Sequence, residues 1–437
     1  MKRILIRDLQ ASTDQVVRVQ GWAATIRNQK KMQFVVIRDH TGSVQATHPR
    51  GGEGDQIELT INDLTVESAV EVVGKVVKND KVKLGQIEIL PDEFTVHSLA
   101  QPQLPITDQS GLDLRLDWRF LDLRRPNVRL IFEIQTTAEN AMREFWAQNG
   151  FIEMHSPKLM GSASESGAEL FQLEYFGKKA SLAQSPQFYK QMAMAAGFDR
   201  VCEVGPVFRA NPSFTSRHDT EFTSVDMEIS WVDSHEDVMS MEERWIHHVL
   251  TAVSAEHGDA IKDTFGVDVV VPLLPFPRVR MEEAQQTLKD KGHVPPADSK
   301  EGDLDPEGER VLSKHIADVH GHEFVFVTEY PWSVRPFYHM RHEHDPQLTK
   351  SFDLLWKGLE VTTGAQREHR YDILVNQARE KGIDSDAIQF YLDFFQFGCP
   401  PHGGFGFGLT RMLMVLLNVR NVREVTYLYR GPNRLTP

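Results

Sequence analysis

Two arginines and a histidine lie close together in a segment whose pattern predicts strand, polar loop and strand. Arg209 follows an apolar pair, and Arg217 and His218 precede Phe222 by a few residues. Guanidinium groups bind phosphate oxygens through two parallel hydrogen bonds, so this segment suits a polyphosphate ligand. Charged residues on the surface of a plain hairpin are the alternative interpretation.

Two further patterns fit the same kind of ligand. Asp353 and Glu360 lie seven positions apart in a predicted extended segment, and Mg²⁺ prefers one or two carboxylates together with substrate phosphates. Residues 404–408 read Gly-Phe-Gly-Phe-Gly and precede an apolar helix whose first turn contains Arg411. Glycines permit close approach of the backbone to a ligand, and a helix N-terminus favours anions. The spacing matches neither a dinucleotide-binding fingerprint nor a Walker loop.

The elements around these residues alternate between helical and extended patterns, which predicts a mixed α/β fold. Leu130, Ile134, Ala138, Met142 and Phe145 share one helical face, and Gly150 follows. Strands and loops are expected to about residue 232, and residues 289–310 are expected to form a polar surface excursion. The predicted elements are a helix at 128–148, a helix near 239–255, a strand at 324–328, a helical stretch at 386–396 and a helix at 409–417.

The first hundred residues have a different pattern, which indicates a small β-barrel. Five short strands separated by turn residues are expected near residues 17–22, 32–38, 43–47, 69–77 and 87–90. Five strands in about 90 residues fit an OB-fold, a frequent platform for single-stranded nucleic acid. A barrel without any ligand remains the alternative. A Pro/Gln-rich stretch at 100–105 indicates a linker.

Composition narrows the class of protein. The 437 residues contain 48 Lys+Arg and 62 Asp+Glu, a formal net charge of −14. Residues 1–100 contain 13 of each kind, so the whole excess lies in residues 101–437. Two cysteines argue against a disulfide scaffold and for a reducing compartment, and neither a signal peptide nor a membrane span is expected. A cytoplasmic location is the expectation.

In their fixed order, these clusters resemble the signature motifs of class II aminoacyl-tRNA synthetases. Pro157, Arg209 and Arg411 occupy the positions of the motif 1 proline and of the motif 2 and motif 3 arginines. The motifs would lie around 142–159, 203–231 and 402–417. The resemblance covers nearly the whole chain. It implies an OB-fold anticodon-binding domain at 1–100, a hinge at 101–126, and a catalytic domain at 127–437 built on an antiparallel sheet of six or seven strands.

Within that class, the chain resembles the subgroup of aspartyl, asparaginyl and lysyl enzymes, and most closely the compact archaeal type of aspartyl enzyme. Lys190, in the segment 182–191, and Arg367 offer two cations for an aspartate side chain. The implied activity is an aspartate–tRNA ligase, which activates L-aspartate with ATP and transfers it to the 3′ end of tRNA-Asp. An asparaginyl enzyme, or a non-catalytic paralogue that binds nucleic acid, is the alternative. Asn211 and Thr410, where the family usually has glutamate, support the paralogue.

The resemblance also implies a role for each site residue. Arg209 and Arg411 are the expected catalytic residues, and Mg²⁺ is the expected metal. The expected amino-acid-binding residues are Glu169 (after the loop 161–167), Ser185, Gln187, Lys190, Arg209, Thr363 and Arg367. The expected ATP-binding residues are Arg209, Arg217, His218, Asp219, Phe222, Glu360, Gly408 and Arg411. The expected metal ligands are Asp353, Glu360 and Thr363.

The barrel residues expected to contact the tRNA anticodon are Arg27, Phe34, Gln45 and Lys81. A core position is the alternative for Phe34. Enzymes of this type that charge only tRNA-Asp tend to have tryptophan in the position of Ala24 and lysine in that of Lys81. Because one position matches and the other does not, relaxed specificity that includes tRNA-Asn is favoured, which would require an amidotransferase partner. Motif 1 implies a homodimer.

Overall fold

The computed structural model describes residues 1–162, 169–212, 215–297 and 299–437. Most of the loop expected at 161–167 therefore lies outside the described residues. The chain divides into two compact units, Met1–Pro126 and Asn127–Pro437, and each is described by itself.

The first unit is a closed five-stranded barrel with the strand order β1-β2-β3-β5-β4. Its strands are β1 (Val16–Asn28), β2 (Met32–Arg38), β3 (Ser43–Pro49), β4 (Ala69–Lys78) and β5 (Ile87–Ser98), and its helices are α1 (Gln56–Asn62), α2 (Leu112–Asp117) and α3 (Arg119–Asp122). The parallel contact of β3 with β5 closes the barrel, and the other pairs are antiparallel. Alternate residues such as Val17, Val19, Val35 and Ile37 are fully buried in its core. The predicted OB-fold is confirmed.

Two details of this unit go beyond the sequence patterns. The pairing of β1 with β2 shifts register between Ala23 and Thr25, so Ala24 lies at a β-bulge. The residues assigned to a hinge contain α2 and α3, which are held together by Asp122. Its carboxylate accepts from Arg119 at 2.6 Å and from Arg115 at 2.8 Å, and it is completely buried.

The second unit is built on an eight-stranded sheet with the order β12-β13-β14-β15-β16-β11-β10-β6, beside a small sheet of β7, β9 and β8. The strands are β6 (Ile152–Glu153), β7 (Leu159–Met160), β8 (Gln172–Tyr175), β9 (Lys178–Leu182), β10 (Arg200–Phe208), β11 (Glu221–Ser230), β12 (Arg278–Arg280), β13 (Phe324–Thr328), β14 (Ser351–Trp356), β15 (Leu359–Arg367) and β16 (His402–Gly408). The helices are α4 (Pro126–Gln148), α5 (Gln187–Ala195), α6 (His235–Phe265), α7 (Met281–Asp290), α8 (Pro306–His320), α9 (Tyr371–Glu380), α10 (Gln389–Leu392), α11 (Leu409–Leu416) and α12 (Val422–Val425).

The expected six or seven antiparallel strands are corrected to eight, with a parallel pair at each edge. β6 pairs in parallel with β10, and β12 pairs in parallel with β13. These two edge strands have two and three residues, which is too short to show a periodic pattern. The central strands are antiparallel, so the predicted α/β fold with an antiparallel core sheet is confirmed.

Capping residues explain why several helices differ from their predicted bounds. α6 is longer than 239–255 because Ser234 forms a capping box at its start and Gly266, with φ 70°, ends it. α8 begins inside the expected surface excursion, because Asp305 accepts from a backbone N–H of its first turn and Pro306 fits the first helical position. α5 lies in a region where only strands and loops were expected.

Two helices cover one face of the large sheet and leave the other face for a site. Trp146 of α4 stacks on Trp245 of α6 with ring centroids 5.5 Å apart, and Trp245 contacts the rings of Phe405 and Phe407. Side chains alternate along a strand, so Gly404, Gly406 and Gly408 lie on the opposite face. Within the described ranges, no helix combines the length and the apolar character needed to cross a membrane.

Candidate active site

A cavity of about 380 Å³ opens on the uncovered face of the large sheet. Among the residues that the structure describes, six cationic and four acidic side chains line it, so these carry an excess of positive charge although the chain as a whole is acidic. The cations are Lys190, Arg209, Arg217, Arg335, Arg367 and Arg411, and the acids are Glu169, Asp219, Asp226 and Glu360. Such a site is suited to a ligand with several negative charges.

β11 and β16 form the floor of the cavity. Ser224 and Asp226 follow Phe222 at intervals of two residues and pair with Gly408 and Gly406 across the sheet. A Cβ atom at Gly404 would collide with the backbone carbonyl oxygen of Met227 and with the Glu228 carboxylate, so this glycine permits both the close pairing of β16 with β11 and the position of the carboxylate. The sequence analysis missed Asp226 and Glu228, although the period-2 spacing from Phe222 predicts that they share its face.

Lys190 lies on α5 and is almost completely buried, with 1% of its surface exposed. Its Nζ lies 2.9 Å from both Asp226 Oδ1 and the carbonyl oxygen of Phe405, and 3.4 Å from Glu228 Oε2. The ammonium is therefore already balanced by carboxylates. The long contact with Glu228 is the one that an incoming anion can replace most easily.

Arg367, at the end of β15, is held on several sides. Its Nε donates to Glu228 Oε1 at 2.9 Å, its Nη2 donates to the Gly404 carbonyl at 2.8 Å, and its Nη1 lies 3.0 Å from His339 Nε2. Burial alone would raise the pKa of Glu228, but Arg367 and Lys190 hold that pKa below its ordinary value. Burial and the Arg367 charge keep the pKa of His339 well below its ordinary value, so His339 is neutral and accepts from Arg367.

The motif 2 segment places its charged residues along one side of the cavity. The Arg209 guanidinium carbon lies 5.5 Å from the centre of the Phe222 ring. Arg217 Nη1 lies 3.3 Å from Glu309 Oε2 of α8, a partner that the sequence did not indicate. Partial burial and the neighbouring Arg411 and Arg217 lower the pKa of His218, which favours its neutral form.

Arg411, in the first turn of α11, reaches across the sheet to β15. Its Nη1 donates to the carbonyl oxygen of Glu360 at 2.9 Å and to Oε1 of the same residue at 3.3 Å, and Thr363 donates to that Oε1 at 3.3 Å. Two oxygen-bearing side chains, Glu360 and Thr363, therefore lie side by side in the cavity wall.

Asp219 also lines this cavity, and burial raises the pKa of its carboxyl group to about 7.

Asp353, an expected metal ligand, does not line the cavity. It lies one strand further, on β14, opposite Thr363. Its Oδ2 accepts from Arg335 at 2.7 Å, and the guanidinium carbon of Arg335 lies 3.6 Å above the centre of the Tyr330 ring. Arg335 thus stands between Asp353 and the cavity, which the sequence could not show because Arg335 lies in an irregular segment.

The remaining expected ligands of the amino acid and ATP all line the same cavity. The backbone N–H of Gln187 donates to Ser185 Oγ at 3.2 Å, which fixes the start of α5. Glu169 has a positive φ of 60°, and its carbonyl oxygen accepts from the Ala210 N–H at 2.8 Å. Asn211 and Thr410, the two departures from the family pattern, also belong to the wall.

Three of the four expected anticodon residues lie together on the barrel. Arg27 and Phe34 are paired across β1 and β2, and the Arg27 guanidinium carbon lies 5.4 Å from the Phe34 ring centre. Arg27 Nη2 donates to Gln45 Oε1 at 2.9 Å. Phe34 is half-buried and is not part of the barrel core. Lys81 lies in the β4–β5 loop, where its N–H donates to the Asn79 side chain at 3.0 Å.

The fold and the site together define a class II synthetase core with an OB-fold domain, and sequence comparison gives the same class. The family of class II tRNA synthetases for D, K and N matches residues 111–430, and the OB-fold nucleic acid binding domain matches residues 17–96. The chain belongs to this class II family.

Curated relatives specify the branch of the family. The chain is 42% identical to an aspartate–tRNA(Asp) ligase of Thermococcus kodakarensis over 97% of this chain and 96% of the relative. It is 40% identical to an aspartate–tRNA(Asp/Asn) ligase of Aeropyrum pernix over 100% of both chains. The structure of an asparaginyl-tRNA synthetase of Pyrococcus horikoshii with asparaginyl-adenylate superimposes with a TM-score of 0.91 at 30% identity, covering 100% of both chains.

Proposed function

We propose that this chain is an aspartate–tRNA ligase that uses ATP. The observation that carries the proposal is the convergence of Lys190, Arg209 and Arg367 on one cavity, in a chain whose full-length relatives include aspartate–tRNA ligases. A substrate with two carboxylates and a nucleotide with three phosphates need such a density of cations.

The reaction needs no side-chain nucleophile. An oxygen of the aspartate α-carboxylate attacks the α-phosphate of ATP and pyrophosphate leaves. A terminal hydroxyl of the tRNA then attacks the carbonyl carbon of the adenylate and AMP leaves. We assign the α-carboxylate and the α-phosphate to Arg209, and the outer phosphates to Arg217 and Arg411; all three arginines line the cavity. Catalysis then rests on positioning and on charge stabilisation.

Mg²⁺ fits the oxygen donors of the cavity wall. Glu360 Oε1 and Thr363 Oγ1 lie 3.3 Å apart, and a Mg²⁺ site of one or two protein oxygens completed by phosphates and waters is usual. We propose Glu360 and Thr363 as the protein ligands, with Asp353 behind them and paired with Arg335. When bound, the metal would neutralise phosphate charge.

The barrel provides the nucleic-acid surface of the proposal. Phe34 can stack on an anticodon base, and Arg27 and Gln45 can contact its edge and backbone. We propose a homodimer from the motif 1 segment and a cytoplasmic site of action. Because Ala24 offers little side chain at the β1 bulge, we favour an enzyme that charges tRNA-Asn as well as tRNA-Asp and works beside an amidotransferase.

ATP–pyrophosphate exchange with aspartate, asparagine and lysine tests the amino acid. Stimulation by aspartate is expected, and stimulation by asparagine or lysine alone would contradict the proposal. If the folded protein forms no adenylate with any amino acid, the non-catalytic paralogue is favoured. Asn211 and Thr410, which depart from the family pattern, support that alternative. Charging purified tRNA-Asp and tRNA-Asn side by side then separates strict from relaxed specificity.

A further inference from the structure

A chain of buried polar groups leads from the cavity wall to the start of β16. Gln187, which lines the cavity, is followed one helical turn later by Gln191, and Gln191 contacts His402. His402, Gln191 and Tyr391 are completely buried, and none of them lines the cavity. Gln187 is the cavity residue to which this chain of hydrogen bonds leads.

His402, at the end of this series of hydrogen bonds, determines which atoms donate and which accept. His402 Nδ1 lies 2.8 Å from the carbonyl oxygen of Pro400, and a carbonyl oxygen can only accept, so Nδ1 holds a proton. Burial lowers the pKa of His402 to about 4, against the opposing influence of Glu228, so the ring is neutral near pH 7. Its Nε2 must then be an acceptor.

The orientation of each amide follows from that acceptor. Gln191 Nε2, 3.0 Å from His402 Nε2, must donate to it. The carbonyl end of Gln191 then points the other way, where it accepts from Tyr391 Oη at 3.0 Å and from Gln187 Nε2 at 2.9 Å. One N–H of Gln187 is used in this contact, and Gln187 Oε1 cannot face the Gln191 oxygen because both only accept. Oε1 is therefore the acceptor that the Gln187 side chain can offer to the cavity.

We infer that His402 is a positioning residue that, through Gln191, turns the carbonyl oxygen of Gln187 towards the α-ammonium group of the amino-acid substrate. The inference rests on the proposed function. A reversed Gln187 would present an NH₂ group to an ammonium group. Because both groups are hydrogen-bond donors and neither is an acceptor, the hydrogen bond to the charged donor would be lost. The pattern therefore selects a ligand with a cationic donor beside its carboxylate.

Two substitutions of Gln191 test the inference as a matched pair. Gln191→Met removes the acceptor that fixes Gln187 and keeps an unbranched side chain of similar size. Gln191→Glu keeps an acceptor facing Gln187, and its negative charge favours protonation of His402 at Nε2, which then donates to the second carboxylate oxygen. We expect the KM for aspartate to rise about 10-fold or more in Gln191→Met and to stay within about 3-fold of the unmodified value in Gln191→Glu. His402→Leu should behave like Gln191→Met. The KM for ATP should remain unchanged in all three.

Succinate supplies the readout that a packing defect would not give, because it has both carboxylates of aspartate and no ammonium. Its inhibition constant in ATP–pyrophosphate exchange should be the same in Gln191→Met as in the unmodified chain. Equal KM values for aspartate in the two Gln191 variants, or an equal weakening of succinate and aspartate, would overturn the inference. If His402→Leu does not fold, the Gln191 pair decides alone. A lack of aspartate-dependent exchange in the unmodified chain would overturn the proposed function first, and this inference with it.

Discussion

Lys190→Met removes one ammonium group from the cavity and keeps an unbranched side chain of similar length. A hydrogen bond to a charged group is worth about 1.5–3 kcal/mol, which corresponds to roughly a 10- to 100-fold loss of aspartate affinity. The substitution also leaves Asp226 and Glu228 with less compensating charge, and breaking a buried pair costs about 3–5 kcal/mol of stability. Aspartate binding by calorimetry, ATP binding, and urea unfolding measure the three effects separately.

The double variant Lys190→Met with Asp226→Asn is the matched control for stability. It removes one buried charge of each sign, so much of the lost free energy of unfolding should return while aspartate binding stays weak. Recovery of aspartate affinity in the double variant would refute the direct role of the ammonium. An equal weakening of ATP and aspartate in Lys190→Met would refute the assignment of Lys190 to the amino acid.

Three further predictions concern stability, packing and tRNA. Burial raises the pKa of Glu242 to about 8, so wild-type stability should fall as pH rises from about 4.5 to 8, by about 1.4 kcal/mol per pH unit. Glu242→Gln should remove that part of the slope in urea unfolding, and an unchanged slope would contradict the pKa. Gly404→Ala should displace Glu228 and abolish ATP–pyrophosphate exchange, and exchange activity in this variant would refute the packing argument. Gly111→Ala is the control and should leave exchange unchanged, because there is open space around the new methyl group. Phe34→Ala should raise the KM for tRNA about 10-fold or more without changing exchange, and a parallel loss of exchange would contradict an anticodon role.

Local patterns predicted the elements of the fold well where they are long or strongly periodic. β2, β4 and α4 are examples, because each shows a clear period of two or 3.6 residues, and β13 is a short continuous apolar run. β1 and β5 run further than expected, to Asn28 and Ser98. β6 and β12 are too short to show one, and α5 is a nine-residue helix directly after Pro186. The bounds of α6 depend on Ser234 and Gly266, whose effect on the helix ends is local and could have been used.

The candidate site was predictable where its residues lie in recognisable motifs, and less so where they act through partners. Arg209, Arg217 and Arg411 belong to motifs that the resemblance identifies. Arg335 and Glu309 come from an irregular segment and from α8, and only the folded chain brings them to Asp353 and Arg217. These contacts join residues 18 and 92 positions apart, and neither spacing has a signature in a single sequence.

The pairing of Lys190 and Arg367 with Asp226 and Glu228 changes how amino-acid specificity should be argued. The sequence suggests that two cations select an acidic side chain because an unpaired buried charge is costly. The structure adds two buried carboxylates, so the four groups sum to zero without a ligand. The carboxylates offset the cost of burying Lys190 and Arg367, which a lone cation would have to bear without a partner. An asparaginyl enzyme shares the fold at a TM-score of 0.91, so selection between a carboxylate and an amide depends on the side chains of the site and not on the fold. Specificity is then a matter of hydrogen-bond direction as much as of net charge. The Lys190 variants measure the contact with the side-chain carboxylate, whereas the Gln191 variants measure the contact with the α-ammonium, which aspartate and asparagine share.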